Sequence, residues 1–224
     1  MTVYVMMLAN KRKYLRDAIR SVRAQTRTDF IHVVALDNGQ DWGGYPPAVW
    51  FNREAKEISP ENYIAWLSDD DVLLPNYVAD LAGYLDAHPE VDCCYGGSEV
   101  VLEDGQGTRS PWTWLPDYPD RLNAKRWPVF DTKNLPGCVI DGGQIMLRRS
   151  ALSAIAQPWM PIATEPTTAR LTDASLLNKL ANAVGIYPVP VQVMINRITP
   201  LSAHCRPGPG GQRVITDWRR APKW

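Results

Sequence analysis

Short unbroken apolar runs along this chain alternate with stretches whose apolar residues recur at helical spacing. Residues 3–8 (VYVMML) form the first such run, with β-branched and aromatic members, and predict a buried strand. Leu15, Ala18, Ile19 and Val22 then fall at i, i+3, i+4 and i+7, the spacing of one helix face. Residues 31–36 make a second apolar run, ended by the turn signal Asp37-Asn38-Gly39. Strand, helix and buried strand in that order predict a βαβ unit and a parallel sheet.

Residues 40–60 are less regular, with Gly43-Gly44 and Pro46-Pro47 as breakers. A third strand over 63–67 runs directly into Ser68-Asp69-Asp70-Asp71. Pro75 opens a helix that carries Val78, Leu81, Ala82 and Leu85. Residues 91–102 read as a strand pair or one long bent strand, with Gly96-Gly97 marking a bulge. Residues 106–137 lose periodicity and hold Trp112, Trp114, Tyr118 and Trp127 among prolines, the character of a long functional loop or small subdomain. A strand over 140–147, a short helix from Ser150 and a helix N-capped by Thr172 follow. The last strand, 189–195, is expected near an edge because of Pro188 and Pro190. The whole reads as one α/β domain over 1–205, a mixed, mostly parallel sheet flanked by helices. A Gly/Pro-rich, then basic-aromatic tail occupies 206–224.

Charge changes this picture only by exclusion. The 224 residues hold 24 basic and 24 acidic side chains, a formal net charge of zero. Bulk nucleic-acid binding, which leans on a basic excess, is not expected. The four cysteines form no C-x-x-C pair, and Cys93 and Cys94 are adjacent, so the thiols are read as reduced and the setting as cytoplasmic. The apolar start is far short of the ~20 residues a spanning helix needs, and it lacks the charged region of a secretion signal. No transmembrane segment is expected.

Candidate chemistry centres on the acidic triplet. In open parallel sheets ligands collect beyond the carboxyl ends of strands, where Asp69, Asp70 and Asp71 are placed. Adjacent carboxylates repel unless a cation or hydrogen bonds compensate. Mg²⁺ or Mn²⁺ suits such oxygen ligands and neutralises a diphosphate. The competing reading is a solvated turn whose acids favour a following helix N-terminus.

The surrounding words resemble family 2 glycosyltransferases. Residues 4–15 (YVMMLANKRKYL) are similar to that family's first strand, turn and helix start, and RDAIRSVRAQTRTDF to its helix ending in S-V-x-x-Q-T. VVALDNGQ resembles its second-strand end, and WLSDDDVLLPNYV its L-D-x-D-D-x-x-x-P stretch with the DxD motif. GGQIMLRRSAL resembles its acceptor-side strand, and TDASLLNKL its E-D-x-x-L helix start. The resemblance covers about residues 3–200 and implies a GT-A fold, with a nucleotide-sugar-binding half over 1–104 and an acceptor-side half over 105–205.

It further implies a metal-dependent, inverting transfer from a nucleotide-diphosphate sugar, foremost a UDP-sugar, to a hydroxyl acceptor. Leu8, Ala9, Asn10, Asp37 and Asn38 would hold the base, with Ser68 and Asp69 at the ribose. Asp70 would bind Mn²⁺ or Mg²⁺, with Asp71 and His204 as further candidate ligands. Asp173 would be the general base, and Gly143 and Gln144 would lie on the acceptor side. Trp112 and Trp114, with Trp127, precede that strand; on residue type alone they are acceptor-side candidates that stack on a sugar face, or equally the packing of a Pro-rich subdomain. The acceptor, whether glycan, glycolipid, protein or modified base, is not named by the sequence.

Departures from the family pattern concern the donor. Leu8 replaces a Thr and Ser68 the first Asp of DxD. The connection over 41–62 is short, so the family's helix there is expected to be lost, with Arg53 or Lys56 as substitutes for its diphosphate-facing arginine. Lys11, Arg12 and Lys13 begin a helix, an anion-friendly place, although such runs are usually solvated. A nucleotidyltransferase would need a Gly-rich loop where Ala9-Asn10-Lys11-Arg12 stands. The principal alternative is a non-catalytic nucleotide-sugar or glycan-binding module on the same fold. Signatures of serine hydrolases, P-loop proteins and zinc proteases do not occur.

Overall fold

The computed structural model of the chain describes residues 1–9, 12–37, 41, 46–102, 112–114, 140–162 and 172–198. Asn10, Asn38, His204 and the 206–224 tail lie outside these, as do the side chains of Trp112 and Trp114. Strands β1 (Val3–Ala9), β2 (Phe30–Leu36) and β3 (Tyr63–Trp66) are parallel, with β1 between the other two. Helix α1 (Arg12–Arg23) makes the first crossover, as its apolar spacing predicts.

The second crossover differs from expectation. Residues Pro46–Glu57 form helix α2, so the 41–62 connection keeps a helix. Pro46 and Pro47 are its first two residues, where a missing N–H costs nothing and a fixed φ suits the helix. Ala48, Phe51 and Ala55 face the core, while Arg53 and Lys56 are exposed.

Beyond β3 the chain forms the two-residue strand β4 (Val72–Leu73) and then α3 (Tyr77–Ala87). Strand β5 (Cys93–Leu102) is long enough to pair with β7 (Ile145–Arg148) along Cys93–Tyr95 and with β6 (Trp112–Trp114) along Ser98–Val100. The expected start of β7 at 140 is instead a 3₁₀ turn, Gly142–Gln144, and a second 3₁₀ turn, Arg149–Ala154, follows it. Helix α4 (Thr172–Ala183) leads into β8 (Tyr187–Ile198). The full order is β2-β1-β3-β7-β5-β8-β4, with β6 on β5.

Strand β8 is interior rather than an edge, since β5 and β4 pair on its two sides. Its prolines are still accommodated, because β4 pairs only with Met194 and Ile195 and leaves the Pro188–Pro190 stretch unopposed on that side among the described residues. The sheet is mixed: β5 and β8 run parallel to one another, while β7 and β4 run against their neighbours.

Alternating side chains build a core on each face. Met6, Leu8, Ile64, Tyr95, Ile145 and Leu147 pack against α2 and α4, and Val3, Val5, Met7, Ala65 and Met146 against α1 and α3. The amino ends of β1 and β3 are closed by a polar clamp. Tyr63 donates to Asp86 (2.7 Å), which Arg27 also reaches (3.3 Å), and Arg148 donates to the Leu85 and Val91 carbonyls (2.6 and 3.1 Å). Burial and the Asp86 bond push the Tyr63 phenol up to about 12, so it stays a donor.

Where β5 passes β8 the register shifts at Gly97, as the Gly-Gly pair predicts. A side chain at Gly96 would run into both methyls of Val193 and come within 3.0 Å of the Val191 carbonyl oxygen. Gly96→Ala is therefore expected to destabilise the fold by about 1–3 kcal/mol through overpacking. Thermal unfolding should show a Tm several degrees lower. An unchanged Tm would mean that β8 is not packed on β5 as described.

Candidate active site

The parallel strands all end on one side of the sheet, and the chemistry-bearing residues gather there. Asp37, just past β2, donates its backbone N–H to the Ala9 carbonyl at the end of β1 (2.8 Å). The ends of β1 and β2, where the resemblance would put the base, are thus neighbours. Leu8 packs its side chain into the core, so the main chain is what it offers a ligand.

The acidic turn lies alongside. Leu67 extends β3 by donating to the Met6 carbonyl (3.0 Å), and Asp71 N–H closes a turn onto the Ser68 carbonyl (3.2 Å). Asp69, Asp70 and Asp71 are only 4%, 5% and 4% exposed. Helix α3 begins six residues beyond, at Tyr77. A solvated turn at a helix N-terminus is therefore not what forms. Three carboxylates removed from water need compensating partners. The backbone N–H of Arg197, near the end of β8, supplies one, donating to Asp71 Oδ1 at 2.7 Å.

Across from this turn, Asp141 caps the Gly142–Gln144 turn by accepting from Gly143 N–H (2.8 Å). Gln144 is 2% exposed and turns inward: its Oε1 accepts from Asp141 N–H and its Nε2 donates to the Gly96 carbonyl, both at 2.7 Å. Gly143 is buried, with space for a side chain limited by Met194 at 3.0 Å. These two residues hold the Gly142–Gln144 turn in place, and Gly142 presents its wall.

Asp173 arrives from the first turn of α4, where its Oδ1 accepts from Ala174 N–H (3.0 Å). A β-carbon built on Gly142 would lie 3.6 Å from Asp173 Cβ, 3.9 Å from its Oδ2 and 3.7 Å from Trp66 Cδ1. The end of β3, the Gly142–Gln144 turn and α4 therefore converge on one point. A recess there is lined by Phe51, Ile64, Trp66, Ile145, Met160 and Leu176 among others, and among the described residues Asp173 is its one charged lining residue.

Sequence reasoning missed Trp66, whose indole packs against Trp50 (6.1 Å) and Phe51 (5.4 Å) of α2. The signal available was an aromatic immediately before an acidic turn. It also missed Arg197, whose guanidinium lies over Tyr14 (4.9 Å) and 3.7 Å from Asp17. Lys13 is exposed and donates to Tyr14 (2.8 Å), while Lys11 and the Arg12 side chain lie outside the described residues.

This arrangement is that of a GT-A glycosyltransferase fold, a single α/β domain with a mixed sheet flanked by helices. Among solved structures it is similar to S. aureus TarS 1-349, with a TM-score of 0.57 and 14% identity over 88% of this chain and 60% of that one. The complex of the same TarS fragment with UDP-GlcNAc gives 0.55, 14%, 88% and 59%. GalNAc-T7 with UDP, GalNAc and Mn²⁺ gives 0.51, 12%, 88% and 44%. The chain thus spans less than two thirds of these neighbours. No protein-family model matches the sequence.

The Gln144 geometry yields a test of the site's framework. Gln144→Leu strands the buried Gly96 carbonyl, at a cost of about 1–3 kcal/mol, and removes the partner of the part-buried Asp141 N–H. Urea unfolding should show the loss as a lower midpoint with an unchanged slope. A midpoint like that of the parent would place the Gln144 amide elsewhere.

Proposed function

We propose that this protein is a metal-dependent inverting glycosyltransferase that moves a sugar from a UDP-sugar to a hydroxyl acceptor. The observation that carries this reading is the meeting of Asp173, Gly142 and Trp66 at the strand end that leads into the buried acidic turn. The UDP and UDP-GlcNAc complexes of TarS, and the UDP complex of GalNAc-T7, support a uridine nucleotide sugar as donor.

In this reading Asp37 and the main chain at Ala9 receive the base, and Ser68 and Asp69 the ribose. Asp173 takes the proton from the acceptor hydroxyl as its oxygen attacks the anomeric carbon. The bond from that carbon to the diphosphate oxygen breaks with inversion, and the nucleotide leaves with the electron pair. Trp66 and the Gly142 wall keep this region apolar and limit water access, which strengthens the action of a single carboxylate.

Among the described residues no three His, Cys, Asp or Glu side chains form a preformed metal cage. Mg²⁺ and Mn²⁺ are commonly held by one or two carboxylates and completed by substrate phosphate oxygens and water. Asp70 is the proposed protein ligand, and a cation there would neutralise the leaving diphosphate.

A thermal-shift panel of UDP, GDP, dTDP, CDP and ADP, each with and without Mn²⁺, tests the reading. UDP is expected to raise the Tm only with metal, by about 2.7 kcal/mol of stabilisation at a hundred times Kd. Asp70→Ala should abolish that response. Silence of the parent protein across the panel would instead favour a non-catalytic module.

Asp173→Asn should keep the UDP response while release of UDP from UDP-N-acetylhexosamines falls about 10²–10⁴-fold. Turnover near the parent rate would move the general base to another residue.

A further inference from the structure

We infer that Asp71 is a positioning residue, which fixes the acidic turn by holding the backbone of β8 at Arg197. Strand β4 pairs antiparallel with β8 only through Val72↔Ile195 and Leu73↔Met194, and the ladder continues downward through Leu74 N–H to the Val193 carbonyl (2.8 Å). Above Val72 the main chain turns away, because Asp71 N–H is bonded back to the Ser68 carbonyl. The sheet would end there. Instead the Asp71 side chain extends the contact by one step, with Oδ1 accepting from Arg197 N–H at 2.7 Å across 126 residues of sequence.

A side chain thus supplies the acceptor that the departing strand no longer offers, and the bond to a carboxylate is of the stronger, charge-assisted kind. Its other end is anchored: the Arg197 side chain, 12% exposed, is held over Tyr14 and beside Asp17 of α1. The turn carrying Asp69 and Asp70 is therefore secured between β8 and α1. A cation seeking Asp71 Oδ1 would have to share it with this amide. The role assigned to Asp71 rests on the proposed function for what Asp70 binds, but the tie itself does not.

The test compares Asp71→Asn, Asp71→Ala and Asp70→Asn. Mn²⁺ affinity in the presence of UDP is read from the free-ion EPR signal, and Tm is measured without ligand. Asn at 71 keeps an acceptor oxygen, so its Mn²⁺ affinity should stay within about threefold of the parent. Ala at 71 should lose at least about tenfold, the loss expected for a hydrogen bond to a charged group. Asp70→Asn should weaken Mn²⁺ strongly with little change in Tm.

If Asp71→Asn weakens Mn²⁺ as much as Asp70→Asn, Asp71 is a ligand and the inference fails. It fails equally if Asp71→Ala binds like the parent. Should the parent protein bind no Mn²⁺ with UDP, the proposed function falls. The tie is then judged by unfolding, where Asp71→Ala should lower the Tm more than Asp71→Asn, which keeps an acceptor oxygen without the charge. Equal Tm values for both variants and the parent would overturn it.

Discussion

A single buried amide holds the functional end of this protein together. Gln144 sits at the foot of β7, between β3 and β5, and its side chain bridges the Asp141 N–H and the Gly96 carbonyl. Through the first bond it closes the turn that presents Gly142. Through the second it fastens that turn to β5 just where β5 shifts register against β8. Both ends are backbone groups; the Gly96 carbonyl is bonded in a buried position and the Asp141 N–H in a part-buried one, so the first in particular is not readily traded for solvent. The wall shared by Trp66 and Asp173 stands only while this bridge does.

Much of the fold was legible because periodicity reports burial directly. The runs at 3–8, 31–36 and 63–67 became β1, β2 and β3, and the spacing of Leu15, Ala18, Ile19 and Val22 became α1. What failed has physical causes. Pro46-Pro47 looks like punctuation and hides α2, yet two prolines at the start of a helix are compatible with it. Strand β4 has two residues, too few to show alternation. The prolines of β8 pointed to an edge, and the pairing that makes the strand interior lies at its other end.

The site was legible in its residue types more than in its wiring. The acidic triplet, Asp37 and Asp173 were identifiable from order and context, and all of them lie at the carboxyl end of the sheet. Their burial was not readable, since an exposed acidic turn and a sequestered one share the same letters. The partners were still less so. Arg197 N–H is a main-chain group 126 positions away from Asp71, and no side-chain pattern announces it. Trp66 was counted as a strand residue, while its exposure to Gly142 and Asp173 depends on where β7 and α4 are brought.

The clamp at the opposite edge gives the molecule a mechanical polarity. Tyr63, Asp86, Arg27 and Arg148 rivet the amino ends of β1 and β3 to α3 and to the start of β5. Local opening in a protein follows its least-bonded elements. Breathing motions should therefore hinge on that riveted edge and widen toward the other. Amide hydrogens near Tyr63 would exchange slowest, and those of the turns around Ser68 and Gly142 sooner. A bulky ligand bound at that rim, as proposed, would come and go without loosening this foundation.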